Sequence, residues 1–290
     1  MKDIIVITGP TGVGKTALSI SLAKKINSEI INADSMQFYK YLNIGTAKIK
    51  EEEKDGVKHH LFDIVSPEEM YTIYDYQKDA RKKIEEIIKR GKKVIIVGGS
   101  GLYIRAALHD YKLEEENIKL NFDDLSNEEL YKKALEEDSF ITIHPNNRKR
   151  LIRFLEKSKL GKKEIPKAEK LYDFDIIGLT TERSVLYDKI NKRVDKMLEE
   201  GLLDEVRSLY NKGIYSKAIN TGIGYKELYK YFNNEISLED AIDLIKKNSR
   251  HYAKRQYTFF NHQFDVKWFS TNYEDFDKTI EEVYNYLERN

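Results

Sequence analysis

The residues best equipped for chemistry stand at the start of the chain, where Gly9, Pro10, Thr11, Gly12, Val13, Gly14, Lys15 and Thr16 form a GxxxxGKT loop. Glycines at this spacing let backbone N–H groups converge on phosphate oxygens, the lysine supplies a point charge, and the threonine hydroxyl is offered to Mg2+. A helix starting at Lys15 would add the positive end of its dipole. The loop therefore predicts a phosphate-bearing substrate, with Mg2+ as cofactor and Thr16 as its protein ligand.

A second group follows the β-branched run at 29–33, which delivers Asp34, Ser35, Met36 and Gln37. If that run is a parallel strand, its carboxyl end opens on the ligand-binding edge of the sheet. Asp34 is then a candidate general base. It could equally cap a helix starting at Ser35, or hold a metal-bound water. The apolar run 93–97 ends in Gly98-Gly99-Ser100-Gly101. Hydrolysing P-loop enzymes usually place an acid there, so the ATPase reading weakens. The glycine pair would let something bulky approach the backbone, with Ser100 able to hydrogen-bond it; alternatively it is a plain strand-to-helix turn. His59 and His60 have no cysteine or third histidine at zinc spacing, and are read as packing or hydrogen-bonding residues.

Two basic segments complete the inventory. Lys246, Lys247, Arg250, Lys254 and Arg255 fall within ten residues of a helical stretch that also carries Tyr252, Tyr257, Phe259 and Phe260. Lys247, Arg250 and Lys254 share a face at i, i+3, i+4 spacing and could follow a phosphate backbone, while the rings could stack on unpaired bases. A solvated basic face with core aromatics fits as well. Lys149, Arg150 and Arg153 form a second basic surface. Two such surfaces on a chain with 50 Lys and Arg against 49 Asp and Glu mean that charge is segregated, which favours RNA with a single-stranded region.

The elements that must hold these residues alternate. Candidate strands are 3–8, 29–33, 59–65, 93–97, 174–179 and 265–269, and candidate helices are 71–90, 182–212, 237–260 and 272–289. The pattern predicts an α/β fold, a P-loop NTPase-like, mostly parallel sheet flanked by helices. The strand rhythm stops in a Lys/Glu-rich stretch, so 111–172 is expected to be a helical insertion subdomain contacting the RNA, and 1–110 with 173–290 the catalytic core carrying C-terminal RNA-binding helices. There are no cysteines, which excludes disulfides, thiolate metal sites and Cys nucleophiles. No apolar run nears the ~20 residues of a membrane span, and the N-terminus reads as a core strand rather than a signal peptide. A cytoplasmic monomer without a membrane partner is the expectation.

The order of motifs resembles the tRNA dimethylallyltransferase (tRNA isopentenyltransferase) family nearly end to end. The resemblance is carried by GPTGVGKT at 9–16, DSMQFY at 34–39, IGTAK at 44–48, HHLFDI at 59–64, GGSGLY at 98–103, HPNNRKRLIRFLE at 144–156, RVDKMLEEGLLDEV at 193–206, GIGYKEL at 222–228 and AKRQYTFF at 253–260. It implies transfer of a dimethylallyl group from dimethylallyl diphosphate to N6 of the adenine 3′ to the anticodon of tRNA. In that reading the loop 9–16 holds the leaving diphosphate with Lys15, Thr16 and Mg2+, and Asp34 takes the N6 proton. Arg193, or in second place Arg183, clamps the diphosphate. Asp34, Ser35, Met36, Gln37 and Ser100 face the adenine. Lys149, Arg150, Leu151, Ile152 and Arg153, with Lys254, Arg255, Gln256, Tyr257, Thr258, Phe259, Phe260 and Asn261, hold the anticodon stem-loop. Ser100 stands where the family more often has Thr, and Phe259 where Trp is common. Lacking cysteines, the chain has no zinc-finger extension, which points to the bacterial type. The rival readings are an adenylate isopentenyltransferase acting on free nucleotide, a P-loop small-molecule kinase, and an RNA-binding P-loop protein without catalysis.

Overall fold

A computed structural model describes residues 1–110, 121–139, 141–159 and 169–289, apart from the Lys157 side chain. The parts of the 111–172 expectation that fall on 111–120, 140 and 160–168 lie outside the described residues. Two compact units emerge, one made of Met1–His109 with Lys170–Asn290, the other of Asp110–Glu169.

The larger unit is built on short β-branched strands. Ile4–Thr8 (β1) leads through the glycine loop into Lys15–Lys25 (α1), then Ser28–Asn32 (β2) and the two-residue His59–His60 (β3). Ile73–Lys89 (α2) is started by Thr72, whose hydroxyl accepts from the Asp75 N–H while Asp75 accepts from the Thr72 N–H, a reciprocal cap. Lys93–Val97 (β4) and Gly101–Leu108 (α3) follow. In the smaller unit, Asn127–Glu137 (α4) and Arg148–Lys159 (α5) pack around buried Leu130, Ala134, Leu151 and Leu155. The chain returns through Phe174–Thr180 (β5), Arg183–Glu199 (α6), Leu202–Asn211 (α7), Lys217–Thr221 (α8), Tyr225–Phe232 (α9), Leu238–Gln263 (α10), Lys267–Ser270 (β6) and Phe276–Arg289 (α11).

The six strands form one parallel sheet in the order β3-β2-β4-β1-β5-β6. Strand period 2 sorts the core into two layers. Ile4, Val6, Ile31 and Ile96 face a cluster shared with α2, α3, α7, α9 and α10, whereas Ile5, Ile7, Ile30 and Ile95 face α1, α6 and α11. With both faces covered, all five residues of β1 and of β2 are buried, as parallel strands require.

Several expectations shift, among them the last helix, which starts at Phe276 rather than 272. The strand expected at 59–65 ends at His60, because Leu61 and Asp63 adopt φ 62 and 53 and turn the chain; Val65 returns only as an isolated bridge to Tyr39. The helix expected at 182–212 is two helices, broken where Gly201 takes φ 100 and begins α7. The last strand starts at Lys267 rather than 265.

Candidate active site

The loop between β1 and α1 is held from behind. Gly9, Gly12 and Gly14 all have positive φ, and a Cβ on Gly9 would sit 2.5 Å from the Leu179 carbonyl oxygen, so only glycine fits there. Thr271 donates to the Val13 carbonyl (2.9 Å) and Tyr273 to that of Gly12 (3.3 Å), so the segment after β6 supports the cradle. The Lys15 ammonium folds onto the Gly9 and Pro10 carbonyls at 2.9 and 2.8 Å. Burial, helped by the Arg193 charge, pulls its pKa down to about 8, against the pull of Asp34. Thr16, on the first turn of α1, is exposed to a cavity of about 390 Å³.

Asp34 leaves the carboxyl end of β2 beside this loop. Its backbone N–H donates to Asn32 Oδ1 (2.9 Å), and its own Oδ1 accepts the Met36 N–H (3.0 Å), a turn that fixes the carboxylate. No α-helix starts at Ser35, so the cap reading falls, and the base and metal-water readings stay. Burial raises the Asp34 pKa above the usual carboxylate range, opposed by the Met36 N–H and by the charges of Lys15 and Arg193. Arg193 lies on the inner face of α6, and its Nε is buried without a hydrogen-bond partner. Burial lowers its pKa while Asp34 raises it. Arg183 instead lies on the exposed side of α6, bonded to and stacked on Tyr187, so of the two arginines only Arg193 faces the loop.

Asp34 stands where two cavities meet. The first is the phosphate-side chamber, lined by Gly12, Lys15, Thr16 and His59; the second, about 320 Å³, is lined by apolar Met36, Ile190, Met197 and Ile223 and by Arg255. Thr11, Asp34, Thr46, Arg193 and Tyr252 line both. The arrangement is a half-buried carboxylate flanked by two cations, with anion-binding backbone on one side and a partly apolar space on the other.

The Gly98-Gly99-Ser100-Gly101 turn is not kept open for a ligand. A Cβ on Gly98 would lie 2.2 Å from the Ala33 carbonyl oxygen, on Gly99 1.8 Å from Gln256 Nε2, and on Gly101 2.3 Å from the Phe259 ring. The bulky approach inferred from the glycines is that of α10 itself at Gly99 and Gly101, and of the backbone after β2 at Gly98. Ser100 Oγ accepts the Ser35 N–H (3.1 Å) and donates to Ser35 Oγ (3.3 Å), tying this turn to the Asp34 segment. Tyr252 lies beside Ser100 and Gln256, and burial pushes its pKa up to about 12.

The basic surfaces are narrower than their sequences suggest. On α10, Lys247, Lys254 and Arg255 are exposed, but Arg250 is bonded to Asn191 (2.6 Å) and Lys246 to Asp195 (2.6 Å) on α6. Gln256 and Phe260 are buried, Gln256 donating to the Gly99 carbonyl (3.2 Å), and Tyr257 is bonded to Thr180 and packed on Trp268. Asn261 accepts the Trp268 indole N–H (2.9 Å). Direct RNA contact by Phe260 is therefore corrected to a core role, and Thr258 and Phe259 remain on the accessible side. On α5, Lys149, Arg150 and Arg153 are exposed and Ile152 half-buried, whereas Leu151 is fully buried and is likewise corrected to core. Arg148 turns inward, donating to the Leu125 and Phe122 carbonyls. Sequence reading had Tyr252 only as a stacking ring and missed Thr46 as a chamber wall; the IGTAK motif was the only signal for the latter.

Residues 37–263 match the family model described as "IPP transferase". A protein of Geobacillus thermodenitrificans named tRNA dimethylallyltransferase is 46% identical, over 99% of this chain and 96% of its own length. One of the same name from Anoxybacillus flavithermus is 45% identical, over 99% and 96%. Among solved structures, the full-length tRNA isopentenylpyrophosphate transferase of Bacillus halodurans superposes with a TM-score of 0.80 at 44% identity, covering 99% of this chain and 96% of that one. A eukaryotic dimethylallyltransferase acting on tRNA gives 0.80 at 31% identity, covering 93% and 74%.

Proposed function

The chain belongs to the IPP transferase family, and from that premise we propose that it transfers a dimethylallyl group from dimethylallyl diphosphate to N6 of the adenine 3′-adjacent to the anticodon of tRNA, releasing diphosphate. The observation that carries this reading is the position of Asp34, a half-buried carboxylate at the junction of a phosphate-side chamber and one walled in part by apolar side chains.

The diphosphate lies along the 9–16 loop, with Lys15 and the unpartnered Arg193 Nε meeting the charge that accumulates on the leaving group. Lys15 would exchange its two loop carbonyls for phosphate oxygens. Asp34 accepts the N6 proton as the N6–C1 bond forms, and the C1–O bond breaks with its electron pair leaving on the diphosphate. A carboxylate whose pKa is raised by burial is a stronger base than an exposed one, which suits a conjugated amine. The target adenine leaves the anticodon-loop stack to reach Asp34, with Tyr252 lining its approach. Mg2+ fits the residues present: Thr16 offers an oxygen in the phosphate-side chamber, and among the described residues no three His, Cys, Asp or Glu converge, so the other ligands come from phosphate oxygens and water, as Mg2+ prefers. When bound it would neutralise charge on the diphosphate. Exposed Lys149, Arg150, Arg153, Lys254 and Arg255 hold the RNA backbone. No described helix is long and apolar enough to cross a membrane, and the protein is proposed to work as a cytoplasmic monomer.

The test is incubation with Mg2+, labelled dimethylallyl diphosphate and either an unmodified anticodon stem-loop or AMP. Label on the RNA adenine alone is expected. Label on AMP would select a free-nucleotide prenyltransferase, and label on neither, with [γ-32P]ATP consumed instead, would select a kinase.

A further inference from the structure

We propose that Glu205, outside both chambers, is a positioning residue that sets the orientation of Gln37 beside Asp34 through the loop 43–47; this rests on the prenyl-transfer reading of the site. The loop has no regular structure of its own, and a loop that lines a reaction chamber must be fixed by something. Four donors converge on the one carboxylate of Glu205. Oε2 accepts the N–H groups of Asn43 (3.0 Å) and Ile44 (2.8 Å), and Oε1 accepts the Gly45 N–H (3.1 Å) and the Tyr225 hydroxyl (2.7 Å). Charge-assisted bonds of this kind are about twice as strong as neutral ones. Tyr225 is fully buried, and a Cβ on Gly45 would lie 2.7 Å from its ring, so loop, α7 and α9 interlock at this point.

The far end of the loop reaches the site. Gln37 Nε2 donates to the Thr46 carbonyl (3.0 Å) and the Ala47 carbonyl (3.4 Å). With both amide protons directed at loop carbonyls, the Gln37 oxygen is the group left to serve the chamber, which Gln37 shares with Asp34 and Lys15. An oxygen acceptor there complements an exocyclic amine, and a flipped amide would oppose it with N–H donors. The Glu205 carboxylate thus determines, through three backbone N–H groups and two carbonyls, which atom of Gln37 meets the substrate.

The prediction separates positioning from mere folding. Glu205→Gln keeps size and shape, but a neutral amide cannot accept all four donors. It should lower kcat for transfer to the stem-loop roughly tenfold, as small misplacements in an active site do, with KM for dimethylallyl diphosphate within about threefold of wild type. Hydrogen exchange should quicken at amides 43–45 and stay unchanged in β1, β2 and β4. Gln37→Ala should lose activity to a similar extent, and the double variant should lose no more than the worse single one, because the two residues act in series. Losses that multiply, a Glu205→Gln enzyme with wild-type kcat, or exchange that quickens in the strands as well would each overturn the proposal. Wild-type turnover on the stem-loop in the same assay tests the underlying reading separately, since the proposal concerns only the ratio of variant to wild type.

Discussion

At the scale of single residues, the site works by pushing two titrations in opposite directions. Burial raises the Asp34 pKa and lowers that of Lys15 to about 8. A base must be deprotonated and a phosphate-binding lysine protonated, so kcat/KM for dimethylallyl diphosphate should fall on both sides. It falls as pH drops through an Asp34 pKa above the ordinary aspartate range, and again as pH rises through about 8, where the free enzyme loses the Lys15 charge. In kcat the alkaline fall should move upward, because bound diphosphate holds the ammonium. Asp34→Asn should reduce kcat by roughly 10²–10⁴-fold while leaving stem-loop affinity within a few-fold, and its residual activity should lack the acid-side fall. A pH–rate series on both proteins checks this; an acid limb that survives in Asp34→Asn would assign it to another group. The P-loop and Asp34 were legible in the sequence because each is a contiguous strand end whose chemistry is local. Tyr252 and Glu205 were not, since their roles exist only once α10 and α7 bring them to distant segments, as in the Ser100–Tyr252 and Asn43–Glu205 pairs, about 152 and 162 residues apart in sequence.

At the scale of elements, the sequence reads well where one period runs to a clear stop and badly where geometry intervenes within a run. Helix α2 has an apolar stripe, a Thr72 cap and Gly91 after it, and forms within two residues of expectation. The 182–212 run keeps its apolar period across Gly201, so the break came from a backbone angle, not from composition. The same distinction decides α10. Spacing alone put Arg250 on an RNA-facing row with Lys247 and Lys254, but its guanidinium is engaged by Asn191 and lies over Tyr187. Lys254→Ala with Arg255→Ala should therefore weaken stem-loop binding and reduce the slope of log K against log salt by about 0.7 for each phosphate no longer neutralised, with the melting temperature unchanged. Arg250→Ala should do the reverse, costing about 1 kcal/mol of stability through the missing bond and packing, and leaving the salt slope alone. Filter binding across a salt series, beside thermal melts, distinguishes the two; a shallower slope for Arg250→Ala would return it to the RNA surface. A Gly98→Ala change tests the close packing of the turn after β4, since its Cβ would meet the backbone of Ala33 and no flexible side chain that could move aside. It should cost at least about 1–3 kcal/mol by urea unfolding, the usual range for overpacking.

At the scale of the whole molecule, the chain passes from the larger unit into the smaller and back through a neck of paired backbone. His109 and Lys170 form an antiparallel bridge, the Leu171 N–H donates to the Leu108 carbonyl (2.9 Å), and the Asp110 N–H to that of Glu169 (2.8 Å). Two antiparallel chain ends in this register can be closed by a two-residue turn. Each unit also has its own core, Leu130, Ala134, Leu151 and Leu155 in one and the two sheet faces in the other. Replacing residues 111–168 by Asn-Gly should therefore leave the P-loop unit folded, with a melting temperature within a few degrees of the full chain and unchanged affinity for dimethylallyl diphosphate. If Lys149, Arg150 and Arg153 hold the RNA backbone as proposed, stem-loop affinity should fall and its salt dependence flatten, because exposed cations are removed with the unit. Calorimetry with the diphosphate and filter binding with the stem-loop measure the two halves of the expectation. Retained RNA affinity with the full salt slope would place the whole electrostatic docking surface on the larger unit, with Lys247, Lys254 and Arg255 carrying it, whereas loss of diphosphate binding as well would mean that the neck is part of the chamber's support rather than a simple junction.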